Sequence, residues 1–326
     1  FGGSTTKPPI TTLTLAAGDY WWNAYRTYLT DHWQTNAFAP VVVETTADRI
    51  EIDVTHNLNA FMQYGQIGVA VNDVLATTLN VWDTGHHRLV ATLGDGGTKK
   101  TVTITGSLQS TQGGSVPASV TPVALAVSTN DLVLVPPTSH PHLVVYGDSI
   151  AVGANNANQH KEAWILLTRQ AAPFGVAVDA WGFRSLYDDA NTAPLRAAFV
   201  AKLAALAPSK LWLAIGTNDY GLNKWTAAAF GTSYAAVLDA LFAALPMVKI
   251  YCQSPLIRGT ETANGNGSTL GDYRTQIQAA CSSRSFTVYV DGTTILTLSD
   301  LDTDQLHPSA AGHAKYARFV RTQLGF

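Results

Sequence analysis

A serine, a histidine, an aspartate, an asparagine and a glycine in this chain are spaced so that together they could carry out acyl transfer. Ser149 sits in Gly147-Asp148-Ser149, directly after the apolar run 143–146. A serine hydroxyl is a poor nucleophile until a base takes its proton. His307, in the segment DLDTDQLHPSAAGH (300–313), is the candidate base. Asp304 lies three residues earlier, close enough to accept a hydrogen bond from the far ring nitrogen and fix the tautomer. The tetrahedral intermediate carries an oxyanion that needs preorganised donors. Three are on offer: the backbone N–H of Ser149, the backbone N–H of Gly182 in AWGFRSL, and the side-chain amide of Asn218 in GTNDY. A glycine at 182 lets the main chain approach a substrate closely. Alone, Gly-Asp-Ser reads as an ordinary turn or helix cap; only the set points to chemistry.

The elements that must position this set follow from patterning. Strands are predicted at 143–146, 175–180, 210–215, 248–252 and 286–290, with helical stretches between them such as 193–207 and 226–245. Five strands alternating with helices imply a parallel sheet covered on both faces. Ligands of such sheets gather at the carboxyl ends of the strands, where strand order reverses. In a 2-1-3-4-5 order the first and third strands are neighbours, so Ser149 and Asn218 would face one crevice. Residues 11–135 read differently. Short Val/Ile/Thr-rich runs at 11–17, 49–54, 66–71, 88–93, 100–106, 123–127 and 131–135 alternate with period two, and Asp95-Gly96-Gly97 reads as a hairpin turn between two of them. This is the pattern of an antiparallel β-sandwich or jelly roll. The Pro-punctuated VPPTSHPH (135–142) is the linker, giving a β domain over 1–138 and an α/β domain over 139–326.

The four blocks Gly147-Asp148-Ser149, Gly182, Gly216-Thr217-Asn218-Asp219 and Asp304-Gln305-Leu306-His307-Pro308 resemble those of the SGNH (GDSL) hydrolase family. Its four name-giving residues would be Ser149, Gly182, Asn218 and His307. The resemblance covers residues 142–326 and implies a flavodoxin-like three-layer α/β/α domain, a Ser149–His307–Asp304 triad and no cofactor. Ile150 replaces the leucine of the family name. A β domain ahead of such a domain is similar to the layout of carbohydrate esterase family 2, a jelly roll followed by an SGNH domain. The α/β-hydrolase elbow G-x-S-x-G is nearly present, with Ala151 in place of the last glycine. It is disfavoured because acid and base here share one short segment.

Composition narrows the alternatives. The 326 residues are 46% hydrophobic and 13% charged, with a net charge of −3. That supports a sizeable core and supplies no basic field for nucleic acid. No apolar run reads as a membrane span, and neither Cys252 with Cys281 nor His86-His87 has metal-ligand spacing. The chain begins at Phe1 without a leader, which suits a trimmed form. With its low charge and Thr/Asn/Gly-rich surface, it leans toward a secreted, extracellular setting. Cys252 and Cys281 lie in neighbouring elements, and a disulfide and two buried thiols are equally open. Among other histidines, His160 is the rival base. His140 and His142 precede the first strand, His86-His87 fall in a predicted turn, and His313 reads as an ordinary helix residue.

The expected substrate is an acylated carbohydrate. Loops 153–161, 184–192 and 258–274 are rich in Asn, Thr, Asp and Gly, which suit hydroxyl-bearing ligands. Tyr187, Tyr220, Trp225 and Tyr273 are available to stack on sugar rings or wall the site. The aromatic cluster 19–33 is a further sugar platform, a cover for a sheet edge or the filling of a domain interface. This reading is a short-acyl, acetyl-type serine esterase. The alternative is a lipase- or thioesterase-like GDSL hydrolase acting on other acyl esters, and a non-catalytic binder on the same scaffold is the third class.

Overall fold

The computed structural model describes residues 11–14, 41–57, 62–72, 74–81, 85–110, 119–127, 131–135, 142–155, 163–171, 176–180 and 182–326. The aromatic cluster 19–33, the linker residues 136–141 with His140, and also His160 and Trp181, lie outside these residues. The chain divides into two compact units, Phe1–Thr138 and Ser139–Phe326.

The first unit holds nine described strands in two antiparallel sheets. β1 (Thr11–Thr14), β8 (Ser119–Val127), β3 (Arg49–Asn57) and β6 (Gly85–Thr92) form one, in that order. β5 (Val74–Val81), β4 (Met62–Val71), β7 (Lys100–Ser110), β2 (Val41–Thr45) and β9 (Val133–Leu134) form the other. Alternation does the work: Ile50, Ile52 and Val54 point inward and are fully buried, while Glu51 and Asp53 between them pair with Arg88 on β6. The inward residues join Val43, Ile67, Val69, Val102 and Ile104 of the other sheet in one core, so the unit is a sandwich. Two expectations need correction. Asp95-Gly96-Gly97 does not close a hairpin, because β6 and β7 belong to different sheets. Its loop bonds instead to the 46–48 turn, through Gly97 N–H to the Thr46 oxygen (2.8 Å) and Lys100 Nζ to the Ala47 oxygen (2.9 Å). His86 and His87 lie within β6, not in a turn.

The second unit carries the parallel sheet β11 (Val176–Ala180), β10 (Leu143–Gly147), β12 (Lys210–Ala214), β13 (Lys249–Gln253) and β14 (Thr287–Val290), which is the 2-1-3-4-5 order. β10 and β11 are buried throughout, as expected of strands covered on both faces. The described helices are α1 (Ser149–Val152), α2 (Trp164–Ala171), α3 (Leu186–Ala190), α4 (Ala193–Ala205), α5 (Thr217–Gly221), α6 (Ala227–Ala244), α7 (Leu270–Ser282) and α8 (Ala310–Leu324). Asp148, Ser185, Thr192, Thr226, Thr269 and Ser309 cap α1, α3, α4, α6, α7 and α8 through their side chains. α6 is long and apolar enough, by length and composition, to cross a membrane. Its Phe230, Tyr234, Val237, Leu238 and Leu241 are buried, and it packs against α4 and α7 as a core helix.

Candidate active site

Ser149 is the first residue of α1, immediately beyond β10. The turn there is tight: a Cβ on Gly147 would come within 2.7 Å of the Ala151 Cβ, so glycine is required for the helix to fold back this closely. Asp148 caps α1, its Oδ1 accepting from Ile150 N–H at 2.9 Å. Burial raises the Asp148 carboxyl to about 6, against the lowering effect of that bond and of the His307 charge. The N–H of Ser149 lies in the first turn of α1, where backbone donors have no intrahelical acceptor.

The histidine comes from a closed turn between β14 and α8. Leu301 bridges Pro308, and Asp302 N–H bonds to the His307 oxygen at 2.7 Å. Inside the turn, Asp304 Oδ1 accepts from the N–H groups of Leu306 and His307 at 2.9 and 3.0 Å. Its Oδ2 lies 2.5 Å from His307 Nδ1. A carboxylate only accepts, so Nδ1 carries the proton and Nε2 offers its lone pair. Nε2 lies 2.8 Å from Ser149 Oγ. Desolvation pushes the Asp304 carboxyl up, but the bonds from the His307 ring and from the two backbone N–H groups outweigh it and hold it below its ordinary value. The three residues thus form one hydrogen-bonded line across 158 residues of chain.

Asn218 lies on α5, just past β12, and is buried. One of its amide hydrogens goes to the Arg184 oxygen at 3.0 Å, leaving the second for another acceptor. Asp219 beside it accepts from Leu186 N–H (2.9 Å), Tyr187 N–H (3.0 Å) and Trp225 Nε1 (2.8 Å). Burial raises the Asp219 carboxyl to about 6 against those bonds. Asn218 and Asp219 together therefore clamp the segment that begins at Gly182. The clamped segment is braced from below. Arg184 is fully buried, with its guanidinium 3.8 Å from the centre of the Tyr146 ring and bonded to Asp189 at 2.8 Å and Asp179 at 3.0 Å. Lys202 Nζ meets Asp179 at 2.7 Å. A Cβ on Gly182 would meet no atom of the described residues within 4 Å, so packing among them does not demand glycine there.

The proposed ring platforms divide. Tyr187 and Trp225 are half-buried, meet edge to face at 5.0 Å, and both hang from Asp219 beside Asn218. Tyr220 does not fit the expectation. It is 5% exposed, and its hydroxyl donates to the Thr262 oxygen at 2.8 Å. Tyr273 is fully buried, its hydroxyl on the Trp225 oxygen. The Asn-rich 258–274 loop also spends its amides internally. Asn264 bonds the Tyr220 oxygen, and Asn266 bonds the Asn223 and Trp225 oxygens.

Of the other histidines, His313 and His142 do not compete, and the rival base His160 lies outside the described residues. His313 is fully buried, its Nδ1 accepts from Trp164 N–H at 3.2 Å, and burial followed by the His307 charge lowers its proton affinity to about 3. His142 lies at the opposite end of β10. Cys252 and Cys281 are free and buried. The described residues contain no cluster of His, Cys, Asp and Glu that could hold a metal. One residue was not anticipated: Asn155, whose Nδ2 donates to Asp304 Oδ2 at 2.7 Å.

The profile of the GDSL-like Lipase/Acylhydrolase family matches residues 145–315, which include Ser149, Gly182, Asn218, Asp304 and His307. No curated protein matches the sequence. Solved structures share the fold at low identity. The salicylyl-acyltransferase SsfX3 from a tetracycline biosynthetic pathway has a TM-score of 0.74 at 16% identity, covering 99% of this chain and 96% of its own. A family two carbohydrate esterase from Cellvibrio japonicus has a TM-score of 0.66 at 18% identity, covering 97% and 98%. The acetyl xylan esterase Est2A from Butyrivibrio proteoclasticus has a TM-score of 0.66 at 13% identity, covering 97% and 99%. The family two esterases share the arrangement of antiparallel β sheets ahead of a five-stranded parallel α/β/α domain.

Proposed function

Since the chain belongs to the GDSL-like Lipase/Acylhydrolase family, we propose that it is a serine esterase that removes short acyl groups, acetyl above all, from a carbohydrate. The observation that carries the esterase reading is the line Ser149 Oγ–His307 Nε2 at 2.8 Å and His307 Nδ1–Asp304 Oδ2 at 2.5 Å.

The reaction follows from that line. Ser149 Oγ attacks the ester carbonyl carbon while His307 Nε2 takes its proton, and Asp304 stabilises the imidazolium through Nδ1–H. The carbonyl oxygen becomes an oxyanion, met by the N–H groups of Ser149 and Gly182 and the free amide hydrogen of Asn218. Collapse breaks the bond to the sugar oxygen, which leaves with the proton from His307. Water then attacks the acyl-enzyme with His307 again as base, and acetate leaves as Ser149 regains its proton.

The carbohydrate reading is supported by the half-open Tyr187–Trp225 pair beside Asn218 and by the carbohydrate esterases among the structural relatives. The internally used amides of Asn264 and Asn266 do not support it. A second reading, a lipase- or thioesterase-like hydrolase, is favoured by Phe183, which stands 49% exposed next to Gly182. The test is kcat/KM for acetyl against octanoyl nitrophenyl esters, with acetate release from acetylated oligosaccharides followed alongside. The acetyl ester wins and acetate appears if the carbohydrate reading holds. Preference for octanoyl, with no acetate from any sugar, would end it.

A further inference from the structure

Asn155 lies six residues beyond Ser149, at the close of the short turn that follows α1. Gly153 and Asn155 both have positive φ, 78° and 70°, and Ala154 N–H returns to the Ser149 oxygen at 2.9 Å. A non-glycine residue in the left-handed region costs conformational energy, though asparagine tolerates it better than most. The turn brings the Asn155 side chain onto an acid 149 positions away: Nδ2 lies 2.7 Å from Asp304 Oδ2. The carboxylate accepts only, so the amide nitrogen must face it. Nδ2 is also 3.4 Å from His307 Nδ1. Both are donors here, so that approach is not a bond.

Oδ2 of Asp304 thus serves two donors, the ring N–H of His307 and the amide of Asn155, while Oδ1 serves two backbone N–H groups. This is a mechanical link between the nucleophile's own segment and the acid, independent of the Ser149–His307 bond. It is also an electrostatic one, since a second donor on Oδ2 draws off charge that would otherwise attract the imidazolium.

We propose that Asn155 is a positioning residue, which ties Asp304 to the nucleophile segment and tempers the hold of that carboxylate on the His307 ring. The proposal rests on the serine esterase reading for its kinetic consequences but not for its spectroscopic one. Among the described residues, the groups facing His307 are Ser149 from α1, Asp304 from its own turn, Asp148 at the end of β10 and His313 on α8. All four are unchanged by substitution at 155. Removing the amide leaves Asp304 more negative toward the ring, so the imidazolium survives to higher pH.

The experiment compares wild type with Asn155→Gly, which accepts the positive φ without strain, and with Asn155→Asp, which keeps the shape but replaces donors by charge. In Asn155→Gly, kcat/KM for a short nitrophenyl ester should fall by about tenfold, the order expected for one bond to a charged group. Its acidic limb should move to higher pH, and Asn155→Asp should move it further. Separately, the His307 ring resonance should titrate at higher pH in Asn155→Gly than in wild type by NMR, which needs no turnover. If Asn155→Asp does not fold, Asn155→Gly decides alone. A wild-type rate and limb in Asn155→Gly would overturn the proposal. So would a loss of rate with the limb and the ring titration unmoved, since that is what a merely structural role would give. An inactive wild type would defeat the esterase reading, and the ring titration would then decide on Asn155.

Discussion

Asn218 donates its side-chain amide to the main-chain oxygen of Arg184 at 3.0 Å, across 34 residues of chain. This bond joins two loops at the carboxyl ends of β11 and β12, and it fixes the direction of the second amide hydrogen. That hydrogen is the one available to an oxyanion. Asn218→Ala should lower kcat by about 10²–10³ with little change in KM, the usual cost of one such donor. Steady-state kinetics check it, and a change confined to KM would make Asn218 a binding residue instead.

The other side of the same bond depends on Arg184. Its charge is fully buried against Asp179 and Asp189, so Arg184→Met leaves Asp189 with only the Tyr146 hydroxyl and no counter-charge, and Asp179 with Lys202. Breaking a buried pair in this way costs about 3–5 kcal/mol. Urea unfolding of the variant measures it, and a change below about 1 kcal/mol would show that the network adds little stability.

Asp304 orients and stabilises a base that can still act without it. Asp304→Asn should therefore retain more activity than His307→Ala when both are assayed on the same ester. Equal losses would contradict that division of roles.

Stability should depend on pH through His313. Its folded value, about 3, is below its ordinary 6.5. Its contribution is therefore present above about pH 6.5 and lost as pH falls toward 3. Asp148 and Asp219, both raised to about 6, act in the opposite sense: their contributions are present below about pH 4 and lost as pH rises through 6. His313→Gln should remove only the first effect. Its stability should then fall less steeply with acid than wild type by about 1.4 kcal/mol per pH unit between pH 6 and 4. Unfolding curves that stay parallel across that range would show that His313 is not the sensitive group.

The two cysteines make a simple test. Both are free and buried, so a thiol reagent should find two thiols per chain in denaturant and none in the native protein. The melting temperature should not respond to reductant. A fall on reduction would reveal a disulfide.

The parallel sheet was legible because each strand is an apolar run buried on both faces, followed by a block whose residue types serve one reaction. Predicted strand ends differ from the observed ones by a residue, as at 210–215 against Lys210–Ala214. The sandwich was less legible. β2 (Val41–Thr45) and β5 (Val74–Val81) fall outside the alternating runs, and the residues of the Asp95-Gly96-Gly97 turn do not reveal which sheet its flanking strands join. Around the site, Ser149, Asp304 and His307, which the structure joins by hydrogen bonds, could be read from spacing. Asn155 could not, because Gly153-Ala154-Asn155 signals only a turn and nothing in its neighbourhood points 149 residues ahead. A tyrosine on a short helix can face outward or inward, and Tyr220 faces inward, covered by Tyr273 and the 258–264 loop.

The most direct test of the account is covalent. Wild type, Ser149→Ala and His307→Ala are treated with a fluorophosphonate, and the adduct is located by peptide mass mapping. A single adduct on Ser149 is expected in wild type, none in Ser149→Ala, and strongly slowed labelling in His307→Ala with all three proteins folded. An adduct on another serine, or labelling of Ser149 at the wild-type rate without His307, would contradict it.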